Sequence, residues 1–298
     1  MATKRLDLSW LLPSLRARKL TSIRCLVATA FSIVCAVSCA AQSATHAPTD
    51  SPNLAGLAHA AIRVADLDKS RAFYQKLGFE EAFSMSQGAT TTQSFIKIND
   101  RQFLELYPQR NPAETIGFMH VCFESTDIEA LNRAYVARGL SPTAVRKAGA
   151  GNLLFTMVGP EKQNLEYTQY MPGSKHSNDQ GLHLGPNRIS DQMVAAGIEM
   201  QDADSAVTFY KVQLAFTPAP ALAPGQTWLA LPGPPSQEVK IVQHAPGSVF
   251  QMFFGVADLG HAESQLKALQ IPVEKQKGML SIHDPDGNQI IFVKTKAS

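Results

Sequence analysis

Two histidines and two glutamates stand out, because their types can hold a cation and their spacing repeats. Glu105 follows His59 by 46 positions, and Glu166 follows His120 by 46. Each histidine lies in an alternating stretch, LAHAAIRV or GFMHVCF, and each glutamate in another, RQFLELY or NLEYTQY. Strand side chains point to opposite faces in turn, so all four take the face opposite the aliphatic one and can converge if the stretches pair. Two carboxylates buried together would raise each other's pKa at considerable cost, and a divalent cation removes that cost. Two imidazoles and two carboxylates suit Zn²⁺, Ni²⁺, Mn²⁺ or Fe²⁺ and do not choose among them. The alternative is four separate, partly solvated residues lining a hollow, with the glutamates paired to Arg63 or Lys97. Cys122 shares the strand and face of His120 and is expected to be a small buried side chain.

The elements that must position these residues recur. Leu57 to Gly78 reads as a strand, with Leu57, His59 and Ala61 on one face and Ala60, Ile62 and Val64 on the other. A helix follows, capped by Asp66 and closed at Gly78, and then the strands of Thr91 to Tyr107. Gly117 to Leu140 repeats the pattern, its helix opening on a capping box at Thr126 and Glu129, and a hairpin with the turn GPEKQN ends at Tyr170. The unit returns twice more. VAAGIEMQDADSAVTFYKVQLAF has Asp202 as cap and an FYKVQLAF that echoes FYQKLGF, and the last copy has Asp258 as cap and the hairpin DPDGNQIIFVK. A repeat of strand, helix and antiparallel strands, four times over, sets the fold class as α+β.

The first 40 residues are of another kind. Lys4, Arg5, Arg16, Arg18, Lys19 and Arg24 precede the uncharged run Cys25 to Cys39, too short for the roughly 20 residues of a spanning helix, so a secretory signal is expected. Ala36-Val37-Ser38-Cys39 resembles a lipoprotein box, with a lipid anchor on Cys39, while Ser38-Cys39-Ala40 suits ordinary cleavage. The protein is thus expected to be exported, either periplasmic or membrane-anchored. Residues 41–55, rich in Ser, Thr, Pro and Ala, read as a tether. Without the leader the chain carries 21 basic and 24 acidic residues, a balance that gives no reason to expect nucleic-acid binding. Three of the four cysteines lie in the leader, which excludes an internal disulfide framework.

The stretches LAHAAIRVADLDKSRAFYQKLGF, GFMHVCFESTD, NLEYTQY and HDPDGNQIIF resemble the vicinal oxygen chelate superfamily of glyoxalases, bleomycin-resistance proteins and extradiol dioxygenases. The resemblance implies four βαβββ modules paired into two cup-shaped domains, residues 56–172 and 191–298, with a linker at 173–190. It also implies metal ligands on the first and last strands of a module, here His59, Glu105, His120 and Glu166. In the second pair the corresponding positions hold Ala195, Lys240, Gln251 and Ile291, which leaves that half without a metal set. The activity implied first is a metal-dependent lyase or isomerase of glyoxalase type, in which Glu166 or Glu105 moves a proton between adjacent carbons of a small oxygen-bearing substrate. An Fe²⁺ extradiol dioxygenase using His59, His120 and Glu166 is the second, and a non-catalytic small-molecule binder of resistance type is the third. Whether the modules pair within one chain or between two chains is left open, as is the oligomeric state.

Overall fold

The computed structural model describes residues 54–222, 226–233 and 237–295, so the expected leader and most of the tether lie outside the described residues. Module one comprises β1 (Leu54–Val64), α1 (Leu67–Lys76), β2 (Glu81–Gln87), β3 (Thr90–Lys97) and β4 (Phe103–Pro108). Module two comprises β5 (Gly117–Ser125), α2 (Ile128–Ala137), β6 (Arg146–Lys147), β7 (Leu153–Val158) and β8 (Asn164–Gln169). A short helix, α3 (Lys175–Asn178), falls inside the stretch expected as linker. Module three follows with β9 (Gln192–Met200), α4 (Ala203–Val212), β10 (Thr217–Ala219), β11 (Thr227–Ala230) and β12 (Glu238–Gln243). Module four is β13 (Gln251–Val256), α5 (Leu259–Ala268), β14 (Glu274–Gln276), β15 (Met279–His283) and β16 (Gln289–Lys294). Among the described residues no helix is long and apolar enough to cross a membrane.

Four aspartates start the four module helices. Asp66, Asp127, Asp202 and Asp258 each accept the backbone N–H three residues on, at 2.7–3.0 Å. At α2 this corrects the expected capping box by one position. The Asp127 carboxylate takes the Ala130 N–H, and Glu129 falls in the first turn, where it complements the helix dipole. At the far end of α1, Gly78 has φ +87°, and a Cβ there would stand 2.5 Å from the Arg188 Cα, so this close approach admits only glycine.

Modules one and two build one eight-stranded sheet in the order β2-β3-β4-β1-β5-β8-β7-β6, and modules three and four build the second in the matching order β10-β11-β12-β9-β13-β16-β15-β14. Pairing is therefore within the chain, through antiparallel β1–β5 and β9–β13. In each module the helix is the crossover that lets the first and last strands run parallel, as in β1–β4 and β5–β8. The apolar faces of both sheets contribute to one hydrophobic cluster that crosses between the halves, where Phe79 meets Phe254, Phe118 stacks on Phe250 and Phe123 meets Phe216. Strands β1 and β9 depart from simple alternation in the same way, β9 by a shift that puts Met193 in the core beside Ala196. A register shift between Leu57 and His59 returns Leu57 to the core beside Ala60 and Ile62, while His59 keeps the inner face.

The halves are also joined by polar contacts that repeat in reverse. The DPDG turn of module four reaches module one: Asp286 Oδ1 accepts the Ala65 N–H at 3.0 Å, and the Tyr74 hydroxyl donates to Asp284 at 2.9 Å. The turn of module two reaches module three in the same way. Glu161 accepts the N–H groups of Gln201 and Asp202 at 2.8 and 2.7 Å, and the Tyr210 hydroxyl donates to Gln163 at 2.9 Å.

Candidate metal centre

Strand register brings the four singled-out residues together in the first sheet. β1 lies between β4 and β5, so Ala61 faces both Glu105 and His120, and His59 pairs with Cys122, which in turn faces Glu166. His59 Nε2 is 3.1 Å from His120 Nε2 and 3.3 Å from Glu166 Oε1, and its Nδ1 is 3.4 Å from Glu105 Oε1. Ligand atoms of His59, Glu105 and His120 all lie within 4.8 Å of one another, as do those of His59, Cys122 and Glu166. His59 belongs to both sets. His59, Glu105 and His120 are 3–6% exposed, and the Glu166 side chain, at 15%, is the most open of the four.

The surroundings remove pairing of the glutamates with Arg63 or Lys97. Arg63 turns to Glu114 and to the Thr115 carbonyl. Lys97, fully buried, donates to Asp179 and pairs with Asp100, each at 2.8 Å. Among the described residues Glu105 and Glu166 thus meet no lysine or arginine and share the imidazoles. Glu105 is further fixed by the Tyr107 hydroxyl, which donates to its Oε2 at 2.8 Å and is itself held by Gln93.

Electrostatics follow from burial and this crowding. Burial pulls the His59 imidazole down, but Glu105 and Glu166 outweigh it and leave its pKa raised. Burial, countered by His59 and helped by Glu166, raises Glu105. Burial would also raise Glu166, yet the hydrogen bond and charge of His59 bring it down to about 2. Burial lowers His120 to about 4, and it pushes the Cys122 thiol well up, so Cys122 is the inert buried side chain expected.

These residues fit a divalent ion. Two nitrogens each about 2.1 Å from one ion, at angles of roughly 90–110°, stand about 3.0–3.4 Å apart, and the two Nε2 atoms, which cannot hydrogen-bond to each other when both are bare, stand 3.1 Å apart. His59 Nδ1 is buried without a hydrogen-bond partner despite its nearness to Glu105. Above the group opens a cavity of ≈ 250 Å³ whose wall includes Gln93, Phe95, Tyr107, Asn152, Tyr170 and His176. His176 and Asn152 were not singled out from sequence. The signal for His176 was Ser174, whose hydroxyl caps α3 by accepting the Ser177 N–H at 3.2 Å.

The same registers in the second sheet place Ala195, Lys240, Gln251 and Ile291 at the positions of His59, Glu105, His120 and Glu166, with Phe253 for Cys122 and Trp228 for Phe95. Ala195, Trp228, Phe253, Ile291 and Val293 pack as a separate apolar cluster. The Lys240 ammonium donates to Gln251 Oε1 at 3.0 Å and lies 5.5 and 6.0 Å from the ring centres of Phe253 and Trp228.

Two curled eight-stranded sheets with an inward histidine–carboxylate group define a vicinal-oxygen-chelate architecture, and residues 56–164 match the Glyoxalase/Bleomycin resistance protein/Dioxygenase superfamily. That match spans the first pair of modules. Its fold is similar to that of the 2,3-dioxygenase LapB from Pseudomonas sp. KL28, at TM-score 0.63 and 14% identity over 83% of this chain and 94% of the other. A Mn(II)-bound glyoxalase from Novosphingobium aromaticivorans is similar at TM-score 0.61 and 14% identity, over 81% and 82%. An extradiol ring-cleaving dioxygenase from B. fuscum is similar at TM-score 0.63 and 16% identity, over 83% and 73%. No curated protein gives a significant sequence match.

Proposed function

We propose that the first cup holds a divalent metal ion and that the protein is a metal-dependent lyase or isomerase of glyoxalase type acting on a small oxygen-bearing molecule. The observation that carries this reading is Glu105, a carboxylate buried in an apolar strand, with no basic partner but the imidazoles and with its outer oxygen fixed by Tyr107. A site that takes only His59, His120 and Glu166 has no use for it. When bound, the ion supplies Lewis acidity toward two oxygens of the substrate.

The chain's own residues divide the remaining work. His59, Glu105 and His120 hold the ion, and Tyr107 keeps Glu105 from rotating. Glu166 completes the group, and because it is the most open of the four and lines the cavity, it is the carboxylate able to take a proton from one carbon and return it to the next. Phe95, Tyr107, Tyr170 and His176 limit water around the reacting carbons. Zn, Ni, Mn and Fe all remain compatible with the donor set.

A second reading is an extradiol-type dioxygenase with Fe²⁺ on His59, His120 and Glu166, favoured by the fold shared with ring-cleaving dioxygenases. Metal analysis of natively purified protein, followed by oxygen uptake with a panel of catechols, separates the two. The lyase reading expects about one ion per chain, no oxygen consumption in the iron-loaded protein, and loss of metal in Glu105→Gln. Oxygen uptake that survives Glu105→Gln selects the dioxygenase. Protein that holds no metal, and whose ligand binding ignores Glu105→Gln with Glu166→Gln, is the resistance-type binder. We further propose export through residues 1–40, with Cys39 lipidated or cleavage near Ala40, and the intact mass of the mature protein decides between them.

A further inference from the structure

Cys122 has no part in the reading above, yet it stands between two of the ligands. Across the inner face of the first sheet the side chains fall into rows, one residue from each strand. One row reads Glu105 on β4, Ala61 on β1 and His120 on β5, so an alanine separates its two donors. The next reads His59 on β1, Cys122 on β5 and Glu166 on β8 without a gap. Side chains directly opposite on paired strands start about 4.5–5.5 Å apart at Cβ, and three donors in such a row can close on one point.

The second row does close. One nitrogen of His59, the Cys122 sulfur and one Glu166 oxygen all lie within 4.8 Å of one another, a three-donor set beside that of His59, Glu105 and His120. His59 Nε2 and Glu166 Oε1 are 3.3 Å apart, and two such donors each about 2.1 Å from one ion at a tetrahedral angle stand about 3.4 Å apart. The imidazole is 3% exposed and leaves Nδ1 without a hydrogen-bond partner, so no hydrogen bond at that atom ties the ring to Glu105. The Cys122 thiol is fully buried, and its hydrogen bond to the Phe123 carbonyl is weak at 3.8 Å. Burial makes it inert toward oxidants and electrophiles but not toward an ion seated in the row, because coordination removes a thiol's proton outright.

We propose that His59, Cys122 and Glu166 form a second metal site, overlapping the first, that takes a soft, thiophilic ion and excludes the catalytic one. Imidazoles and carboxylates suit borderline and hard ions, whereas a thiolate in place of an imidazole selects soft ones. Because His59 is common to both sets, the two ions exclude each other, and an ion in this row also withdraws Glu166 from proton transfer. The row is particular to the first cup. The same register in the second sheet reads Ala195, Phe253 and Ile291, none of which can bind an ion.

The inference rests on the metal-site reading, and cadmium, with manganese as the harder competitor, tests the two apart. A full-length chain with Cys25, Cys35 and Cys39 changed to serine keeps Cys122 as its lone thiol. This parent, loaded with manganese, is titrated with Cd²⁺; released Mn²⁺ is followed by electron paramagnetic resonance, and sulfur binding by the near-ultraviolet thiolate-to-cadmium charge-transfer band. One equivalent of Cd²⁺ is expected to release the manganese and to develop the band. Cys122→Ser is expected to lose the band, to keep its Mn²⁺ affinity within about twofold, and to need about tenfold or more Cd²⁺ to give up its manganese. Glu105→Gln, outside the row, is expected to keep the band although it binds Mn²⁺ poorly. Cadmium that releases manganese from the parent without the band overturns this inference and leaves the metal site standing, as does a Cys122→Ser protein that yields its manganese to as little Cd²⁺ as the parent. Loss of the band in Glu105→Gln merges the two sets into one and overturns the second site. A parent chain that takes up neither ion removes the metal-site reading, and this inference with it.

Discussion

The two cups share a strand order and a register, yet the first opens a polar hollow over its inward histidine and carboxylates, and the second packs mainly apolar side chains at those positions and opens instead beside Gln251, in a cavity of ≈ 350 Å³. In the first, a cavity opens above His59, Glu105 and Glu166. In the second, Phe253 stands where Cys122 stands, Trp228 where Phe95 stands, and Lys240 brings a positive charge to the place of a carboxylate. The strand order therefore does not depend on which residue types face inward. It is kept by the outward apolar faces and by the hairpin turns that seat the helices of the opposite half, which accounts for a well-formed DPDGN in a module that has lost its ligand. Asp284 and Asp286 of that turn serve Tyr74, Ser70 and the Ala65 N–H of module one.

The strongest way to break the comparison is to erase the ligand common to both metal-capable sets. His59→Ala is expected to lower affinity for added Mn²⁺ or Zn²⁺ by more than the roughly 100-fold that loss of an outer partner costs, whereas substitutions at Ala195 leave metal content unchanged. Metal analysis after dialysis checks it. The reverse experiment sharpens the point. Ala195→His, Lys240→Glu, Gln251→His and Ile291→Glu together are expected to bind no metal while Phe253 and Trp228 remain, and to gain binding only with Phe253→Cys and Trp228→Phe. A site formed by the four substitutions alone would show that the aromatic filling is incidental.

Stability separates the cups in the opposite direction. Phe253 is 1% exposed and packs against Trp228 at 4.9 Å, so Phe253→Ala should cost about 3–5 kcal/mol by leaving a void. Cys122→Ala, at the matching position of the first cup, removes only a sulfur atom and should cost about 1 kcal/mol. Denaturant unfolding of the two variants measures the difference, and equal losses would contradict the filled-cup description.

Much of this was legible in the sequence because period-two alternation and a fourfold repeat are long-range signals carried by many residues. They located His59, Glu105, His120 and Glu166, and their counterparts Ala195, Lys240, Gln251 and Ile291, at the positions the strand registers give. Local choices were less legible. Whether Thr126 or Asp127 caps α2, or Leu57 faces inward, turns on one carboxylate and one bulge that alternation does not encode. His176 and the Trp228–Phe253 filling escaped notice for another reason. An imidazole in a polar segment and aromatics in strands acquire meaning only from what folds against them, here the Lys97–Asp179 pair and the neighbouring strand.

The smallest expected effect concerns the cation of the second cup. Burial lowers the Lys240 ammonium below its ordinary 10.5. The folded protein therefore gives up this proton at a lower pH than the unfolded chain. Between the depressed folded value and 10.5 the unfolded state binds more protons, so this group makes stability rise with pH across that window. Below it, a charged lysine is held with one amide oxygen and two ring faces in place of water. Replacing a buried charge by an apolar chain of similar length is often neutral or stabilising. Lys240→Met should accordingly leave stability at pH 7 unchanged or raised by about 1 kcal/mol, and should flatten the alkaline rise, whereas Glu105→Met in the first cup, by removing a ligand, should abolish the stabilisation that added metal gives. Unfolding curves from pH 7 to 10, with and without Mn²⁺, read both. A Lys240→Met protein that is markedly less stable at pH 7 would mean that the ammonium holds the second cup together as an ion would hold the first.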